Sequence, residues 1–138
     1  RSAQRHPVTA PANSLYWGGM SGKFYVCQGN TLNGREVIIA MGKAFEETKG
    51  SFSDRLMAAL LAGDCAGGDH RGRLAAGIRV CKKGVDGYWL DLHVDKSDDA
   101  VVALHKQYLE SDHEARGDWG KRKFEPPCPN RPIPKRPI

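Results

Sequence analysis

The chain has 138 residues, 40% of them hydrophobic, which suits one domain with a single modest core, and no apolar run approaches the roughly 20 residues that a membrane span needs. The net charge of +5 is uneven: residues 1–114 hold 14 basic against 14 acidic groups, and residues 115–138 hold 7 against 2. The folded part is therefore neutral, which argues against nucleic acid as its partner, and the excess belongs to a basic tail carrying Pro126, Pro127, Pro129, Pro132, Pro134 and Pro137.

In chain order, residues 1–16 read as an extended N-terminal segment without the apolar stretch of a signal peptide, so the cytoplasm is expected over secretion. An α+β core is expected over 17–112. Lys23 to Gln28 predicts a strand, with Phe24 and Val26 on one face and Tyr25 and Cys27 on the other. Asn33 is placed to cap a helix with Glu36 at its third position, and Val37, Ile38, Met41, Ala44 and Phe45 form its apolar stripe. Lys49-Gly50 ends that helix. A second starts at Ser51 or Ser53, presents Phe52, Leu56, Met57, Leu60 and Leu61, and stops at Gly63. Further on, Ala76, Ile78 and Val80 alternate with Gly77, Arg79 and Cys81, and Tyr88, Leu90, Leu92 and Val94 alternate with Trp89, Asp91, His93 and Asp95. Two strands joined by a turn over Lys82 to Gly87 are predicted. A third helix, capped near Ser97 or Asp98, carries Val101, Val102, Leu104, Tyr108 and Leu109. This order predicts an antiparallel sheet covered by helices. Residues 113–138 form the tail, a solvated arm packed by Trp119 and Phe124.

Between the second helix and the next strand, residues 66–73 contain Gly67, Gly68 and Gly72 together with Asp69, His70, Arg71 and Arg73. Glycines permit positive φ and close backbone approach, so this turn aims its polar side chains rather than merely solvating them. Cys27, Cys65, Cys81 and Cys128 form no CxxC, so no structural zinc and no cofactor is expected. Free thiols are expected, with a Cys128 disulfide pinning the tail as the open exception. Asp91, His93 and Asp95 share one strand face, a pattern open to a hard metal or to acid/base chemistry. Tyr88, Leu90, Leu92 and Val94 already account for the buried face, so the trio is expected in solvent and Trp89 under the tail or a partner.

Four motifs in order, Tyr25-Val26-Cys27-Gln28-Gly29-Asn30-Thr31-Leu32, Arg35-Glu36-Val37-Ile38-Ile39-Ala40-Met41 with Ala44-Phe45-Glu46, residues 66–73, and Leu90-Asp91-Leu92-His93-Val94-Asp95, resemble the domain of unknown function 1028 family. The resemblance covers about Trp17 to Leu109. It implies the N-terminal-nucleophile hydrolase superfamily, in which helices stack on both faces of two antiparallel sheets, so that this chain would be part of an αββα sandwich. It also implies amide hydrolysis by a Thr, Ser or Cys at the chain's amino terminus, where the α-amino group, with a pKa of about 7.7–8.0, takes the hydroxyl proton. Arg1 offers no such group, so three alternatives stand: an upstream segment that is removed, a second chain that supplies the nucleophile, or a shortened and inert product. Where similar sequences continue Gln-Ser-Ala after Arg73, this one has Leu74-Ala75-Ala76.

The candidate binding residues are Gln28, Asn30, Asp69, Arg71 and Arg73. Gln28 and Asn30, at a strand end, offer amide donors to a carbonyl or an oxyanion. Asp69 and Arg71 read either as ligand contacts or as a turn-stabilising ion pair, and Arg73 as a bidentate carboxylate partner or an exposed charge. His70 is expected to face solvent. Three functions follow as expectations: part of an amidohydrolase with its nucleophile elsewhere, a non-catalytic binder of a small molecule, peptide or partner, and an interaction module using the tail. A sheet lacking its upstream strands would expose an edge, which predicts a homo-oligomer or association with an upstream fragment.

Overall fold

The structure, a computed structural model, describes residues 4–5, 16–125, 128 and 131. Most of the expected N-terminal extended segment and all six tail prolines lie outside the described residues. Within them the fold is α+β, with three helices and two separate antiparallel sheets in place of the single sheet expected.

The first sheet is ordered β1 (Gln4–Arg5), β2 (Tyr16–Gly22), β3 (Tyr25–Leu32). β2 escapes prediction because Gly18, Gly19 and Gly22 break any apolar alternation; its place comes from pairing, Met20 opposite Cys27 and Gly22 opposite Tyr25. The Lys23-Phe24 turn puts Phe24 at φ +69°, a conformation that favours glycine, with its ring in solvent. Tyr16, Met20 and Cys27 point inward onto Ile38 of α1 (Arg35–Glu47) and form one apolar cluster. Burial raises the Cys27 thiol pKa, so it is an inert hydrophobe. Val26 and Trp17 lie on the opposite, exposed side.

α2 (Phe52–Cys65) begins at Ser51 with a capping box: the Ser51 hydroxyl accepts from Asp54 N–H, and the Asp54 carboxylate accepts from Ser51 N–H. Arg55 joins the two helices, donating to the Phe45 carbonyl at 2.9 Å and stacking on its ring. α2 runs through Gly63 instead of stopping there, because a side chain at that position would strike Met41 of α1 and the missing Cβ lets the helices close up.

The second sheet pairs β4 (Ala76–Val80) with β5 (Leu90–Val94) and packs against α2 and α3 (Ala100–Glu110). Met57, Leu61, Ile78, Val80, Leu90, Val101, Leu104 and Tyr108 form a second cluster, so the single expected core is divided in two. Tyr88 falls outside β5 and is exposed, since Gly87 turns the chain at φ +70° just before it. Asp99, not Ser97 or Asp98, caps α3. A 3-10 helix, Asp118–Lys121, brings Trp119 into this cluster, and His113 and Glu114 cover Trp89. Beneath them Tyr108 donates to Asp54 at 2.6 Å, both fully buried, and burial with that carboxylate drives the phenol pKa upward. No described helix is long and apolar enough to cross a membrane.

Candidate functional site

The residue 66–73 turn is built by the end of α2. Gly68 N–H bonds back to the Gly63 carbonyl at 3.0 Å, a closure that needs φ +133° at Gly67 and +58° at Gly68, and a Cβ on Gly68 would press on the Arg73 guanidinium. From the other side Asn33 grips the turn: its backbone donates to Gly68 O at 3.1 Å and its side-chain amide to Gly67 O at 2.7 Å. Asn33 therefore does not cap α1, whose N-cap is Gly34 with no side-chain bond; the turn's carbonyl has taken the amide. A further bond runs from His70 N–H to the Thr31 carbonyl at 2.8 Å, with Thr31 held at φ +56°. For a β-branched residue that backbone costs about 1 kcal/mol or more, so the surrounding contacts impose it.

Two Arg/Asp pairs come out of this turn. Asp69 Oδ1 accepts from Arg71 N–H at 2.7 Å and Oδ2 lies 2.9 Å from Arg71 Nη2, on the surface. Burial pushes the Asp69 carboxyl pKa up, but the Arg71 hydrogen bonds and charge outweigh it and hold the group below its ordinary range. Arg73 turns inward. Its Nε donates to Asp64 Oδ1 at 2.6 Å, Nη2 reaches the Asp64 and Gly67 carbonyls at 3.3 and 3.2 Å, and both side chains are 2% exposed. The carboxylate that Arg73 holds thus belongs to the chain itself.

Over the turn lies a cavity of about 990 Å³ between α1, α2 and α3. Its apolar wall comprises Leu32, Val37, Met41, Leu60, Leu74 and Val101, and its polar side comprises Gln28, Asp64, Asp69, His70, Arg71 and Arg73. Four of the five candidate binding residues therefore converge, while Asn30 is exposed and lies outside the lining. His70 is exposed as expected, 3.2 Å from the Asn33 amide oxygen. The sequence does not mark Asp64 as a site residue, and it marks Asn33 only as a helix cap. An acid among apolar helix positions was the one available signal for Asp64, and nothing marked Asn33 apart from its capping propensity.

Elsewhere, Asp91 and His93 sit on the exposed face of β5 and Asp95 is exposed just beyond its end; Arg79 Nε donates to Asp91 at 3.0 Å and lowers its pKa. Among the described residues no group of three His, Cys, Asp or Glu is arranged to hold a metal ion. Cys27 and Cys81 are free, whereas Cys65 and Cys128 form a disulfide, the exception that the sequence left open.

A family model described as a family of unknown function (DUF1028) matches residues 3–104, most of the chain and somewhat further upstream than the resemblance begins. No curated protein and no solved structure matches.

Proposed function

We propose that this chain, which belongs to the DUF1028 family, binds a small amide or short peptide in the cavity walled by the residue 66–73 turn. The observation that carries this reading is the make-up of the wall. Leu32, Val37, Met41, Leu60 and Leu74 suit an apolar body, and Gln28, Asp69 and Arg71 offer an amide, an acceptor and a donor along one side. Because Asp69 and Arg71 neutralise each other, that side fits a neutral dipole better than a free charge. Arg73, committed to Asp64, acts as a positioning residue.

The N-terminal-nucleophile hydrolase-like sandwich belongs to the same proposal and is supported by the family resemblance; β1 to β3 and β4 to β5 would be portions of its two stacked sheets. None of the described residues lining the cavity is Ser, Thr or Cys, so hydrolysis of a bound amide would need a side-chain nucleophile brought from outside this wall.

Calorimetric titration of neutral dipeptide amides, with the matching free acids as controls, tests the reading. The expected result is saturable binding that prefers the amide and weakens about tenfold in Arg71→Ala, as expected when one charge-assisted hydrogen bond is lost. An absence of binding across the amides, or equal affinity in the variant, contradicts it.

A further inference from the structure

The tail returns to the floor of the same cavity. Cys128 is bonded to Cys65, the last residue of α2, across a sequence separation of 63. Three positions further on, the Arg131 side chain is only 5% exposed, with Nη1 at 2.8 Å from the Asp64 carboxylate and Nη2 donating to Asp99, the N-cap of α3. Asp64 therefore holds two guanidinium groups, and Arg131 forms a strut from the end of α2 to the start of α3. Arg73 is tied into the same joint, since its carbonyl accepts from Ala100 N–H at 2.8 Å. Among the described residues, two acids, Asp64 and Asp99, face two bases, Arg73 and Arg131, in these ion pairs.

We propose that the Cys65–Cys128 disulfide is a reducible latch that keeps Arg131 in this strut and so holds the polar wall of the cavity in place. Closed, the bond keeps Arg131 at high effective concentration beside Asp64. Opening it makes the contact pay the closure entropy of a long loop. The step balances with a dithiol as reductant: its thiolate attacks one sulfur, the S–S bond breaks through a mixed disulfide, and the second thiol displaces the protein sulfur. Cys65 and Cys128 end as thiols, having gained two electrons and two protons, and the dithiol ends as a disulfide. Both cysteines are only partly buried, so the bond is within reach of such a reagent. With Arg131 released, Asp64 loses one of its two guanidinium partners, Asp99 loses its ion pair with Arg131, and the joint between α2 and α3 opens locally more often.

Amide hydrogen exchange on the full chain, with and without dithiothreitol, tests this. Gly68 N–H and Ala100 N–H, bonded to the Gly63 and Arg73 carbonyls, are expected to exchange at least tenfold faster after reduction, while the β2/β3 ladder keeps its rates. Arg131→Gln with the disulfide closed should reproduce that acceleration, and Cys128→Ser should show it with or without reductant. Rates unchanged by reduction would overturn the latch, as would an equal acceleration of the β2/β3 ladder or oxidised wild-type rates in Arg131→Gln. Reduction of the wild-type chain discriminates these outcomes even where a variant fails to fold.

Discussion

The Arg71/Asp69 and Arg73/Asp64 pairs leave one turn on either side of Gly72, yet the first has side chains 68% and 31% exposed and the second 2% and 2%. Chemically they are the same pair, and burial gives them different work. In solvent the ion pair is screened and contributes little, which leaves Arg71 and Asp69 able to exchange each other for a ligand at little cost. In the interior the charges cannot separate without leaving one of them unpaired, so Arg73 and Asp64 lock the turn to α2. The rim of the cavity is adaptable, and its floor is fixed while the Cys65–Cys128 bond is closed.

The largest effect expected from breaking this contrast is at the floor. Arg73→Met leaves Asp64 with Arg131 alone and should cost about 3 kcal/mol in denaturant unfolding, with Asp64→Leu in the same chain recovering much of it. Arg71→Ala, by comparison, should leave the unfolding midpoint close to that of wild type while weakening ligand binding. Equal stability losses at the two sites would show that burial does not separate them.

Next in size is the other buried acid. Asp54→Ala removes the acceptor of the Tyr108 hydroxyl and half of the α2 capping box, for a cost of about 2–3 kcal/mol by the same unfolding measurement. Phe24→Gly should act in the opposite direction. It relieves a left-handed φ at an exposed ring and should raise stability by about 1 kcal/mol, far from the cavity and without effect on ligand binding.

How much of this was legible depended on whether the signal was local. The helical stripe of α1, the Met57 and Leu61 part of the α2 stripe, the Ile78, Val80, Leu90 and Leu92 alternation, and the Ser51 start of α2 are properties of neighbouring residues and could be read directly, whereas Phe52, expected on the α2 stripe, is exposed. So could the Asp69/Arg71 alternative of a turn-stabilising pair, since a side chain reaches two residues along its own turn. Asp64 and Arg73 are nine residues apart and meet only because α2 ends in a glycine closure. β2 is hidden by its glycines, and Asn33 reads locally as the cap of its own helix although the turn from the end of α2 offers it a carbonyl at 2.7 Å. Arg131 could not be placed at all, because nothing in a proline-rich tail says which acid it returns to.

The smallest predicted effect is set by pH. Burial lowers the His105 pKa, and nearby Arg122 lowers it further, so the ring is neutral where it packs against Trp119 and Phe124. Since the unfolded chain takes up the proton more readily, this contribution is present above a pH of about 6.5 and is lost as pH falls through the lowered folded value. Melting temperatures followed from pH 8 to pH 5 should fall more for the wild type than for His105→Phe; parallel curves would show that His105 carries none of the pH dependence.

The most direct test of the central claim is to map a neutral dipeptide amide onto the chain by its effect on backbone amide resonances. Shifts confined to Gln28, Gly68, His70, Arg71, Gly72 and Leu74, lost in Arg71→Ala while the fold persists, are the predicted result. Shifts centred on the exposed β5 face or on the residues after α3, with the 66–73 turn silent, would contradict it.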